Sequence, residues 1–169
     1  IGKTGASAYF AGFIDDVRIY NYARTQDEIA LDYNSGFAAR FGPTGATCDV
    51  DPGACMTKGL VGYWGMDEGR GTPTADISGN GNTGYFATAA SSPAWTRGKV
   101  GGALSFDGNN DSVQITDNVS LKFGTGDFTA EIWVETTQVA GGNYPVFFGK
   151  DDEASPRSGW SIFQTAVTD

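Results

Sequence analysis

Four groups of side chains in this chain have the type and spacing to do chemistry. In Phe128–Glu135, FTAEIWVE, strand alternation puts Glu131, Trp133 and Glu135 on one face and Phe128, Ala130, Ile132 and Val134 on the other. Two carboxylates on one strand are raw material for glycoside hydrolysis. That reaction also needs an acid and a nucleophile about 5–5.5 Å apart and differently tuned, and with Trp133 between the two glutamates nothing obvious tunes them. Asp15 lies in GFIDDVRIY, where the same alternation carries it toward a core with Phe13, Val17 and Ile19, and a buried carboxylate requires hydrogen bonds, a cation or a metal. The run Asp76-Ile-Ser78-Gly79-Asn80-Gly81-Asn82 sets side-chain oxygens on a glycine-rich loop, which serves either an Asx-turn or a hard cation. Cys48 and Cys55, in CDVDPGAC, are spaced to close a short disulfide loop around Pro52-Gly53.

Composition removes several classes. The chain has no histidine, so a Ser-His-Asp triad, a Cys-His pair and a His-ligated zinc are excluded within it. A net charge of −9 with 11 basic residues argues against a nucleic-acid partner and suits either solubility or cation binding. There is no signal-peptide pattern and no apolar run of about 18 residues, so no membrane span is expected. A disulfide would place the chain in an oxidising compartment, extracellular or at the cell surface.

The elements that must position these groups read mostly as strands. At 169 residues, with 40 % apolar residues, 13 % aromatics and 25 glycines, the chain suits a β-rich globular protein with many turns. Phe13–Tyr20 has strand content. It is followed by a capping box, Thr25 with Glu28, opening a helix in which Ile29 and Tyr33 share a face and Gly36 is the expected stop. Residues 37–58 read as a linker without a helix. Leu60–Asp67 then begins a second series of short strands: two within 95–116 that meet at a turn over Asp107–Asp111, then FTAEIWVET, PVFFGK and GWSIFQTAV. Residues 69–86 read as turns throughout. Trp64, Trp95 and Trp160 are expected in the core, and Tyr144 in a turn.

These motifs resemble the laminin-G-like family of concanavalin A-like lectin and glucanase domains. Gly12–Tyr33 is similar to the strand and helix that close such a domain. Gly62–Gly69, Asp76–Gly84, Gly98–Gly108 and Phe128–Val134 match, in order, motifs of the opening half. The resemblance implies an all-β, concanavalin A-like jelly-roll β-sandwich with one short helix. By it, 1–36 is the closing strand and helix of one domain, 37–58 a linker and 59–169 the opening two-thirds of a domain. The chain is then either a window on a tandem array or a permuted unit. In the family the closing strand lies beside the opening one, so Phe13–Tyr20 is expected antiparallel to Leu60–Asp67, within the chain or across a subunit contact.

The resemblance also bears on the sites. Glucanases of the superfamily carry three alternating carboxylates where this chain has Glu131, Trp133 and Glu135, so a non-catalytic strand is expected. Trp133, with Glu131 and Glu135, is then a candidate sugar platform, or else packs under a loop. Relatives often bind calcium through the closing-strand aspartate, here Asp15, with loop oxygens that Asp76, Asn80 and Asn82 would supply; the self-bonded turn is the alternative. The expected function is a non-catalytic extracellular module of a multidomain surface or adhesive protein that binds glycans or cell-surface proteins. The alternative is a subunit of a fibre or surface assembly, joined to neighbouring copies of itself by strand complementation.

Overall fold

Strand β3, Ala11–Tyr20, is the axis of the computed structural model, which describes residues 1–4, 8–34, 52–138, 145–151 and 159–165. Its β-branched and aromatic residues give it neighbours on both edges. Along one edge runs β10, Thr129–Glu135, from Thr129 opposite Tyr20 to Glu135 opposite Phe13. The other edge is shared by β4, Leu60–Trp64, beside residues 17–20, and β8, Gly102–Asp107, beside residues 11–14. Strand β7, Ala94–Arg97, continues the sheet beyond β8, and every pairing is antiparallel. The expected pairing of Phe13–Tyr20 with the opening strand is thus made within the chain, with Val17 opposite Trp64 and Ile19 opposite Gly62.

The remaining strands are short. They comprise β1 (Lys3–Thr4) with β2 (Ala8–Tyr9), the sheet β5 (Pro73–Thr74), β6 (Gly84–Phe86) and β9 (Val113–Ile115), and the pair β11 (Val146–Asp151) and β12 (Gly159–Phe163). Ile1 and Gly2 bridge these sets: Val113 N–H donates to Ile1 O at 3.1 Å, and Gly2 N–H to Phe147 O at 2.8 Å. One core joins β3, β4 and β8 to β6, β9 and β11 through Ile14, Val17, Ile19, Trp64, Leu104, Phe86, Val113 and Phe148, a β-sandwich-like arrangement. Burying side chains such as Ile14, Val17 and Ile19 contributes about 1.5–3 kcal/mol each.

Several expectations are corrected. Strict alternation fails in β3, because Glu131 pairs with Arg18 but Trp133 with Asp15, so three steps on β3 face two on β10. Asp16 absorbs the extra residue with φ 54°, a left-handed conformation that aspartate tolerates better than most residues. Ile14 therefore joins Val17 and Ile19 in the core, Phe13 is 39 % exposed, and Asp15 is buried on the opposite face. Residues 69–86 contain β5 and β6 as well as turns. The segment Ala94–Ile115 holds three strands, and across the Asp107–Asp111 turn β8 and β9 enter different sheets.

Helix α1, Gln26–Tyr33, has the expected capping box: Thr25 Oγ1 accepts from Glu28 N–H at 3.3 Å, and the Glu28 carboxylate accepts from Thr25 N–H at 2.8 Å. Its buried face is Glu28, Leu31 and Asp32, whereas Ile29 and Tyr33 are exposed. A second helix, α2 (Pro52–Thr57), lies in the stretch read as a linker. Proline suits a first helical turn because its missing N–H would have no partner there. Cys55 of α2 is buried against Leu31 of α1. The described residues include no free cysteine; Cys48, Gly36 and Tyr144 lie outside them. Trp64 is fully buried, and Trp95 and Trp160 pack against the core. Among the described residues no helix is long and apolar enough to cross a membrane.

Candidate functional site

The outer face of β10 carries the candidate site. Alternation there is regular: Ala130, Ile132 and Val134 pack against the core, which sends Glu131, Trp133 and Glu135 outward. Trp133 is half-buried and stands between two contacts. On one side the Tyr33 ring lies 5.0 Å away at an interplanar angle of 37°, and Lys99 Nζ sits 5.5 Å from the indole centroid. Trp133 therefore matches neither expectation fully, being neither a bare platform nor sealed under a loop.

Two cavities flank it. One, of about 270 Å³, is lined by Phe13, Asp15, Arg97, Lys99, Trp133 and Glu135. The other, of about 460 Å³, lies between α1 and β10 and is walled by Tyr33 and Trp133 above Asp16, Arg18, Asp32 and Glu131. The three strand residues singled out in the sequence are thus divided between them, with Glu135 in the first, Glu131 in the second and Trp133 in both.

Asp16, Arg18, Asp32 and Glu131 on the floor of the larger cavity belong to a charge network that also takes in Tyr20 of β3, Tyr63 of β4 and Arg24, which lies between β3 and α1. Arg18 Nη2 donates to Asp16 at 3.0 Å and to Tyr63 Oη at 3.2 Å, and Arg18 Nη1 stands 3.3 Å from Asp32 Oδ1. Arg24 bonds Asp32 directly, stands 3.3 Å from Glu131 Oε1, and its plane lies over the Tyr20 ring with 3.9 Å between the guanidinium carbon and the centroid. Tyr20 Oη donates to Asp32 Oδ2 at 2.6 Å. Burial, then the hydrogen bond and negative charge of Asp32, push the Glu131 carboxyl up to about 8, against the opposing charges of Arg24 and Arg18. The same causes raise the Tyr20 hydroxyl. These surroundings hold Glu131 toward its protonated form. The sequence reading missed Arg18, Tyr20, Arg24 and Asp32. The available signal was polar residues at helix positions 28 and 32, one turn apart, facing the polar side of β3.

The residues proposed for a cation divide differently. Asp15 Oδ2 accepts from Val100 N–H at 2.9 Å, while Oδ1 is buried without a hydrogen-bond partner. Burial raises the Asp15 carboxyl to about 6, the charges of Asp16 and Asp67 adding to it and the amides of Val100 and Lys99 opposing it. Gly98 and Gly101 let the backbone close on these acids, since a Cβ at either position would strike Asp15 or Asp67 respectively. An orphaned carboxylate oxygen beside a second aspartate suits a hard cation. The Asp76 loop is engaged with itself and with β4. Asp76 Oδ1 accepts from the amides of Tyr63 at 3.0 Å and Ser78 at 2.9 Å, and Oδ2 from Asn82 at 2.8 Å. Asn82 bonds Val61 O and Ser120 Oγ, and Asn80 bonds Leu60 O and Ser78 Oγ. The partners of Asp15 and of Asp76 share no residue. Among the described residues no three His, Cys, Asp or Glu side chains are gathered to hold a metal.

No protein-family model matches the chain, and neither does any curated protein or solved structure.

Proposed function

We propose that this chain is a non-catalytic, extracellular laminin-G-like module with a concanavalin A-like jelly roll, binding glycans across the outer face of β10. The observation that carries this reading is Trp133, half-exposed between two cavities that each set carboxylates beside an indole wall. Sugars are recognised by this combination, an aromatic face for the apolar side of the ring and carboxylates for its hydroxyls. Non-catalytic use is supported by the placing of the two glutamates. Trp133 stands between them, and Glu131 is tied to Arg24 at 3.3 Å. The in-chain pairing of β3 with β4 favours a permuted unit, in which residues 1–36 complete 59–169.

Calcium belongs to the same reading as a structural ligand. Asp15 and Asp67 would hold it, and it would neutralise the carboxylates that the Gly98–Gly102 turn brings together. A second reading, a subunit joined to copies of itself by strand addition, draws on the outer edge of β10, which pairs with no strand among the described residues. A glycan array of the wild type against Trp133→Ala tests the first reading. Specific binding lost in the variant, with an unchanged melting curve, is expected. Equal binding by both proteins would place the ligand elsewhere.

A further inference from the structure

The floor of the larger cavity has more acids than bases. Asp16, Asp32 and Glu131 meet two guanidiniums, Arg18 and Arg24, and apart from Glu131 all of these side chains are at most 8 % exposed. Arg18 is held by Asp16 at 3.0 Å, and Arg24 by Asp32. Glu131 stands 3.3 Å from Arg24, which Asp32 already engages, and its side chain is 18 % exposed. Asp32 Oδ1, 3.3 Å from Arg18, accepts no hydrogen bond. An uncompensated charge at such a site is costly, so the third acid keeps a proton or takes a cation. The groups facing Glu131 are Arg18 and Tyr20 from β3, Arg24, and Asp32 from α1. Asp16 and Tyr63 stand behind Arg18. Glu131, the most exposed of the three acids, is the one these surroundings hold toward its protonated form.

Above this floor the tilted rings of Tyr33 and Trp133 wall about 460 Å³ of open space, and Tyr33 is 65 % exposed. Aromatic faces beside carboxylates retain ammonium groups. Both guanidiniums are already engaged by carboxylates, which leaves an anionic sugar no free base on the floor. In the smaller cavity Lys99, a cation, already lies against the indole.

We propose that the cavity between α1 and β10 binds an amine-bearing saccharide, a hexosamine ring resting on Trp133 and Tyr33 with its ammonium against Glu131 and Asp32, and that binding displaces the proton of Glu131. This rests on the glycan reading and narrows it. The ligand keeps its own proton, Glu131 releases one to the buffer, and no covalent bond changes. The ammonium then supplies the third positive charge that the network lacks.

The test is calorimetric titration of the full chain at pH 7 with the β1,4-linked disaccharides of glucosamine, N-acetylglucosamine and glucose, in two buffers of different ionisation enthalpy. The glucosamine disaccharide is expected to bind about tenfold more tightly than the other two, the scale of one charge-assisted hydrogen bond. Its heat should depend on the buffer, reporting proton release. Glu131→Gln, equal in shape but without the proton, is expected to bind all three alike with no buffer dependence. Equal affinities in the wild type, or a glucosamine preference that survives Glu131→Gln, would overturn the amine while leaving the glycan reading standing. Binding of none of the three, nor of any glycan on an array, would overturn both.

Discussion

At the scale of the residue, the protonation of Glu131 has a sign that stability measurements read. Its carboxyl rises from an ordinary value of 4.5 to about 8 in the folded protein. The folded state therefore holds this proton more tightly than the unfolded chain does. That contribution is fully present below about 4.5 and is lost as the pH rises through about 8. The melting temperature is expected to fall across this window, and Glu131→Gln to flatten that part of the profile; equal slopes in both proteins would contradict the assignment. Asp15 gives a second residue-scale prediction. If a hard cation sits on its orphaned oxygen, adding calcium should raise the wild-type melting temperature by mass action and leave Asp15→Asn unmoved. Identical wild-type curves in calcium and in chelator would remove the metal. The outward face of β10 was legible in the sequence because alternation is a local rule that this strand obeys. The charge network was not, because Arg18, Asp32 and Glu131 come from segments up to 113 positions apart and meet only once β10 lies beside β3.

At the scale of the element, α1 shows which local signals survive tertiary packing. The Thr25–Glu28 capping box formed as read, since its hydrogen bonds need no distant partner. The helix face did not, because the polar side of β3 offers Arg18, Tyr20 and the nearby Arg24 as partners for Asp32, and these draw a charged face inward. Strand β3 fails the alternation rule for a related reason. One extra residue at Asp16 lets Ile14 and Val17 both reach the core, a device that spacing alone does not reveal. Helix α2 was missed because six residues of Pro, Gly, Ala, Cys, Met and Thr carry no apolar period, and their packing is supplied by Leu31. Cys48 lies outside the described residues, and its proposed bond to Cys55 rests on their spacing. The intact mass is expected not to change on alkylation without reductant, and two alkylated thiols would contradict it.

At the scale of the molecule, the ten-residue strand β3 ties three others together, pairing with β4, β8 and β10. Deleting residues 1–36 removes Ile14, Val17 and Ile19 from the core and the shared neighbour of three strands. The fragment 59–169 is expected to show no cooperative melting, and a soluble two-state fragment would show that the pieces fold separately. The same strand positions the site, since its Asp15 and Arg18 stand opposite Trp133 and Glu131. The central claim is that ligand binds there. The chain has four tryptophans, of which Trp64, Trp95 and Trp160 pack against the core while Trp133 stands between the two cavities. The most direct measurement follows their four indole N–H resonances during titration with a glycan recovered from an array. The Trp133 signal is expected to move while the other three stay in place. A ligand that binds and leaves Trp133 unmoved would contradict the site.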